Sequence, residues 1–138
     1  PLARDDFLAG FERRRMSSAE PRTLGDRSRE VIESAIVSVC QHRRWDLIAL
    51  NVRTNHVHAV VRADEVAPER VLNDFKAWST RRLRELGLVG ATDRIWTRHG
   101  STRRLWNTDD VVSARAYVLF GQGHALPGTS FTPPEIES

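Results

Sequence analysis

Apolar residues begin to recur at three- and four-residue spacing after Asp26, in Val31, Ile32, Ala35, Ile36, Val39 and Cys40. That spacing lines one face of a helix, predicted to run from Asp26, a candidate cap, to about Arg43. The period then changes. Trp45 to Val52 is rich in aliphatic residues and ends at the polar break Arg53-Thr54-Asn55, and His56 to Arg62 carries Val57, Val60 and Val61. Two strands joined by a tight turn fit this pattern. Ala67 to Leu86 returns to helical spacing, with Pro68 in a first turn, Leu72, Phe75, Trp78, Leu83 and Leu86 toward one side, and Gly87 and Gly90 as stops. Its other side carries Arg70, Asn73, Lys76, Arg81 and Arg84, a face that is either simply solvated or able to follow a phosphate backbone. Ile95 to Trp106, with a turn expected at His99-Gly100, reads as a hairpin or a final strand. Asn107 or Thr108 can cap a third helix that has Asp109 and Asp110 at its positive end, runs to about Phe120 and stops at Gly121-Gln122-Gly123.

The ends read differently. Residues 1–25 hold the cluster Arg13-Arg14-Arg15 and no clean alternation, and are predicted to be an irregular basic lead-in. From Pro127 onward three of the six prolines fall within eight residues, so 125–138 is predicted to be a Pro-rich flexible tail. What lies between, residues 26–124, is the predicted folded domain. Its order of elements implies an α+β fold, an antiparallel sheet with helices packed on one face.

A chain of 138 residues supports one compact domain with one core and leaves little room for a second domain. At 40% hydrophobic and 28% charged it is too apolar to be wholly disordered. No apolar run nears the roughly 20 residues that cross a bilayer, so a soluble, cytoplasmic protein without a membrane partner is expected. The single cysteine, Cys40, excludes an intrachain disulfide and a four-thiolate zinc site, which leaves nitrogen and oxygen to hold any metal. Of the 21 basic residues 20 are arginine, Lys76 being the exception. Arginine's planar fork suits phosphate and stacks on bases, and a pI near 10.0 points to a polyanionic partner. A GC-rich coding sequence would produce the same bias.

Chemistry concentrates first in Asn55-His56-Val57-His58-Ala59-Val60-Val61. On a strand His56 and His58 project together while Val57, Ala59 and Val61 project oppositely. Two imidazoles side by side on the open face suit a catalytic cation that keeps positions free for substrate oxygens, although such a pair is also an ordinary surface feature. A nucleotidyl-transfer triad spaced along the strand would need a third reactive side chain where Val60 stands. A paired-motif phosphoesterase would need a second copy of the motif, and the chain has none. The second signal is Tyr117, the only tyrosine, spaced four and seven residues after Ser113 and Asp110 and so expected on the polar side of its helix, away from Val111, Ala114 and Val118. A phenol attacks phosphate only when a metal polarises the phosphoryl group or a cation stabilises the phenolate.

This strand, followed about sixty residues later by the helix Ala114-Arg115-Ala116-Tyr117-Val118-Leu119, resembles the single-tyrosine HUH transposases, which include insertion-sequence transposases and the REP-associated tyrosine transposases. Phe75-Lys76-Ala77-Trp78-Ser79-Thr80-Arg81 and Ile95-Trp96-Thr97-Arg98-His99-Gly100 add to the likeness, which spans roughly residues 26 to 124. The resemblance implies a ferredoxin-like fold and a metal-dependent endonuclease and strand transferase acting on single-stranded or hairpin DNA with Mg²⁺ or Mn²⁺, through a 5′-phosphotyrosine. Carried over by position, His56 and His58 would bind the metal and Tyr117 would be the nucleophile, with Lys76, Arg81, His99, Arg103 and Arg104 as candidates for DNA contact. The family's further metal ligand, one turn after the tyrosine, would fall on Gly121, so Gln122, or else His124, takes that expectation. The family's first strand lies inside its sheet, and none is evident in 1–25, which suggests a natural start further upstream. Monomeric relatives and homodimers that exchange their tyrosine helices are both compatible with this sequence. Two other readings stand beside the enzyme: a decayed or domesticated binder of DNA hairpins, and a structural α+β domain whose arginines reflect coding bias.

Overall fold

The computed structural model describes residues 6–14 and 25–121. Four strands and three helices follow one another as β1 (Asp6–Arg13), α1 (Asp26–Arg43), β2 (Asp46–Val52), β3 (His56–Arg62), α2 (Pro68–Glu85), β4 (Trp96–Leu105) and α3 (Thr108–Ala116), and a π-helical turn (Tyr117–Gly121) continues α3. The sheet order is β2-β3-β1-β4, with every neighbouring pair antiparallel. Strands β1 and β2 therefore run parallel with β3 between them, and β3 and β4 run parallel with β1 between them. This is the split βαβ arrangement of ferredoxin-like folds.

The predicted irregular lead-in is corrected at residues 6–13, which form the inner strand expected to lie upstream. Its side chains are buried on both faces: Phe7, Ala9 and Phe11 toward α1 and α2, Leu8 toward α3. A strand covered on both sides carries a continuous apolar run instead of alternation, which is why its sequence lacks the period-two signal.

The two long helices cover one face. Ile32, Ile36 and Val39 of α1 and Val71, Phe75 and Leu83 of α2 meet Phe7, Phe11, Val57 and Val61 of the sheet. Each such fully buried side chain contributes about 1.5–3 kcal/mol. The expectation of helices on one face only is corrected by α3, which crosses the other face and packs Ala114 and Val118 on Leu8, Ala49, Val60 and Leu105. Those four apolar residues lie on the side of the sheet that also bears the histidines, and leaving them wet would forfeit a second, smaller core.

Nor does the chain turn at His99-Gly100, since β4 is one continuous strand through Leu105. Gly100 is there for space: a Cβ would lie 2.5 Å from Leu72 Cδ2 and 2.6 Å from the Gly10 carbonyl oxygen. Asn107 caps α3 as its sequence suggests, its Oδ1 accepting the Asp110 N–H at 2.8 Å.

Candidate active site

Strand alternation sends Val57, Ala59 and Val61 into the helix-covered core and puts His56 and His58 on the opposite face. The two imidazoles lie nearly parallel, ring centroids 6.0 Å apart. His58 is flanked by Gly10 on β1, which contributes no side chain, and by Asn51 on β2. His56 faces Glu12 on β1.

Tyr117 reaches this pair from the far end of the chain. Its ring meets His58 edge to face at a centroid distance of 5.6 Å. At Tyr117 α3 widens into a π-helical turn, an irregularity found frequently at functional sites. Asn51 holds that turn by donating from Nδ2 to the Val118 carbonyl at 2.9 Å. Placing Tyr117 on the polar side of its helix, away from Val118, is corrected accordingly: Ser113, Ala114 and Val118 are buried, and the half-buried Tyr117 packs with them against the sheet. Tyr117 stands beside His58 of its own chain.

Electrostatics favour a neutral His58 ring. Burial, then His56, then Arg53 push the His58 imidazole down to about 4, leaving it neutral with a lone pair at physiological pH. Burial also raises the Tyr117 phenol, while the charge of Arg53 acts in the opposite direction. Arg53 lies in the β2–β3 turn, where its N–H donates to the His56 carbonyl at 2.8 Å. The sequence treated it only as part of a polar break.

Two adjacent imidazoles on one face of the sheet fit a borderline divalent cation. Among the described residues no cluster of three His, Cys, Asp or Glu side chains is arranged to hold one. Gln122 and His124, the expected further ligands, and the 125–138 tail lie outside the described residues.

The residues expected at DNA do not all gather here. Arg103 pairs with Leu8 across β1–β4 and so belongs to the histidine face, whereas Arg104 pairs with Phe7 and belongs to the helix face. His99 is described only by its backbone place in β4. Lys76 and Arg81 lie on α2: Lys76 donates to the Thr97 carbonyl at 3.1 Å, and Arg81 lies over the Trp78 ring at 5.4 Å. Lys76 lines a groove of about 1090 Å³ with Arg13, Arg14, Arg84, Arg94 and Arg98, and Arg81 joins Lys76 and Arg84 around a shallower depression next to it. Glu12 borders both the groove and His56.

Residues 18–108 match the family model described as "Transposase IS200 like". The chain belongs to the IS200-like transposase family. The matched span contains His56 and His58 and stops before Tyr117, so the tyrosine's membership in the site rests on the geometry above. Among solved structures, this transposase-family chain is similar to a REP-associated tyrosine transposase bound to a REP hairpin, at 16% identity and TM-score 0.63 over 85% of this chain and 66% of that one. It is also similar to a putative transposase from Deinococcus radiodurans R1, at 12% identity and TM-score 0.64 over 91% of this chain and 95% of that one. At these identities both likenesses establish the shared fold. No curated protein matches the transposase-family sequence. Among its described residues no helix is long and apolar enough to cross a membrane.

Proposed function

We propose that the protein is a metal-dependent single-stranded DNA endonuclease and strand transferase in which Tyr117 is the nucleophile. The observation that carries this reading is the approach of the only tyrosine to within 5.6 Å of His58, across about sixty residues of sequence and on the same face of the sheet. His56 and His58 would hold Mg²⁺ or Mn²⁺, with Gln122 as the further ligand. When bound, the ion polarises the scissile phosphoryl group and neutralises charge on its oxygens.

The chain's own residues supply the rest. Asn51 fixes the turn that carries Tyr117. Burial raises the phenol and so disfavours its ionisation, and the charge of Arg53 lowers that cost. Attack by Tyr117 Oη forms an O–P bond to the 5′ side of the DNA and breaks the bond to the 3′ oxygen. The phenol gives up one proton and the departing 3′-hydroxyl takes one, so the phosphodiester's energy is conserved and rejoining needs no nucleotide cofactor. The arginine-lined groove suits a phosphate backbone, and Arg103 stands on the reacting face. The hairpin carried by the REP-associated relative supports structured DNA as the substrate class.

Incubation with end-labelled hairpin DNA bearing a single-stranded flank and Mn²⁺, resolved on a denaturing gel, tests the reading. Wild type is expected to give a covalent protein–DNA band that Tyr117→Phe lacks. The same band from both proteins, or none from either across varied hairpins, overturns the nucleophile assignment. Salt-sensitive hairpin binding that survives His56→Ala with no adduct would instead identify a protein that binds DNA without cutting it.

A further inference from the structure

One carboxylate near the proposed metal site remains unexplained by the reaction. Glu12 lies at the end of the inner strand with a residue exposure of only 7%, on the face that carries the histidines. Burying a carboxylate there is costly unless a proton donor answers it. Its Oε1 is 3.1 Å from His56 Nδ1, directly across the β1–β3 pair. Nδ1 is itself buried and makes no aligned hydrogen bond, so the Glu12 oxygen at 3.1 Å is a close polar neighbour that a small ring rotation would turn into an acceptor. The backbone is shaped for this approach: the β1–β4 register shifts between Phe11 and Arg13, leaving Glu12 without a partner in β4. A bulge of this kind re-aims a side chain, and such bulges concentrate beside active sites.

We infer that Glu12 is a positioning residue that fixes the tautomer of His56, its carboxylate accepting the Nδ1 proton and leaving Nε2 as the ring's lone-pair donor toward a divalent cation. The alternative tautomer would set an Nδ1 lone pair against a carboxylate oxygen at 3.1 Å, two acceptors with no proton between them in dry surroundings. Only the Nδ1–H form turns a proton toward the carboxylate while leaving the imidazole neutral. Metal-binding histidines generally carry such a partner on the second nitrogen, which orients the ring and raises its basicity. This inference rests on the reading of His56 and His58 as metal ligands. It adds a residue from the part of the chain where the sequence shows no strand.

The test combines ¹⁵N NMR of the histidine rings in the metal-free full chain at pH 8, where imidazole is neutral, with Mn²⁺ titration of wild type and Glu12→Gln. The expected results are an Nδ1–H tautomer for His56 in wild type and a Mn²⁺ affinity lower by roughly 10- to 100-fold in Glu12→Gln, with its circular dichroism unchanged. The wild-type tautomer decides the matter even where the variant does not fold. An Nε2–H tautomer, a folded Glu12→Gln whose Mn²⁺ affinity stays within about twofold of wild type, or a wild-type protein that binds no Mn²⁺ overturns the inference. The expected tautomer and affinity loss in a protein that forms no DNA adduct would support Glu12's role while sinking the nuclease reading.

Discussion

Replacing Asn51 with alanine removes the side chain that donates to the Val118 carbonyl at 2.9 Å and leaves both histidines in place. A hydrogen bond of this kind is worth about 1 kcal/mol net, and stranding a buried acceptor costs about 1–3 kcal/mol. Val118 is 2% exposed, so its carbonyl has little recourse to water, while the half-buried Asn51 position lets some solvent in. A loss of about 1–2 kcal/mol follows, which is a factor of roughly 5–30 in the ratio of molecules holding the π-helical turn in place to those that do not. The rate of adduct formation is expected to fall by up to that factor, with Mn²⁺ affinity close to wild type and amide exchange accelerated around Val118. Asn51→Asp should be worse than alanine, because its carboxylate opposes the carbonyl instead of donating to it. Single-turnover kinetics on hairpin DNA, paired with Mn²⁺ titration, separate these effects. Wild-type rates in Asn51→Ala would refute the claim that this contact positions the nucleophile, and a loss of metal affinity equal to the loss of rate would move the effect to the histidines.

His58 is held near 4 in the fold against 6.5 when free, so its contribution to stability is complete above pH 6.5 and is lost as the pH falls toward 4. Urea unfolding of the metal-free protein should show a decline on the order of 2–3 kcal/mol across that window, and a folded His58→Ala variant should lack it. Gly100→Ala forces a Cβ against Leu72 and the Gly10 carbonyl and should cost about 1–3 kcal/mol or more in thermal or urea unfolding; an unchanged midpoint would contradict the close packing of β4 on β1. Replacing both Arg84 and Arg94 in the basic groove by alanine should weaken DNA binding and reduce the slope of log K against log salt by about 1.5 if each meets a phosphate of a single strand. An unchanged slope would remove the groove from the DNA path.

How legible each part was depended on whether one local signal decided it. Helices α1 and α2 announce themselves because each buries one stripe against one sheet face, and His56 and His58 do so because β3 alternates. Strand β1 buries Phe7, Leu8, Ala9 and Phe11 on two faces, so a search for alternation passes over it, and Glu12 is passed over with it. Gly100 reads as a turn residue, yet its cause is the approach of Leu72 from another element, which local sequence does not record. The π-helical turn shifts the phase of α3 at the one residue whose facing matters most. Tyr117 could be picked out by type and spacing, while its packing and its Asn51 tether depend on a contact 67 residues away in sequence.

Because Tyr117 is the only tyrosine, its ring protons form an unambiguous NMR signal, and paramagnetic Mn²⁺ broadens protons near it. Titrating Mn²⁺ into the full chain while following that signal tests most directly whether the histidine pair and the phenol share one cation site. The account predicts that the tyrosine resonances disappear at substoichiometric Mn²⁺ and remain sharp when Mg²⁺ replaces it or when His56 and His58 are both alanine in a folded protein. Tyrosine lines that stay sharp in wild type at saturating Mn²⁺ would contradict it.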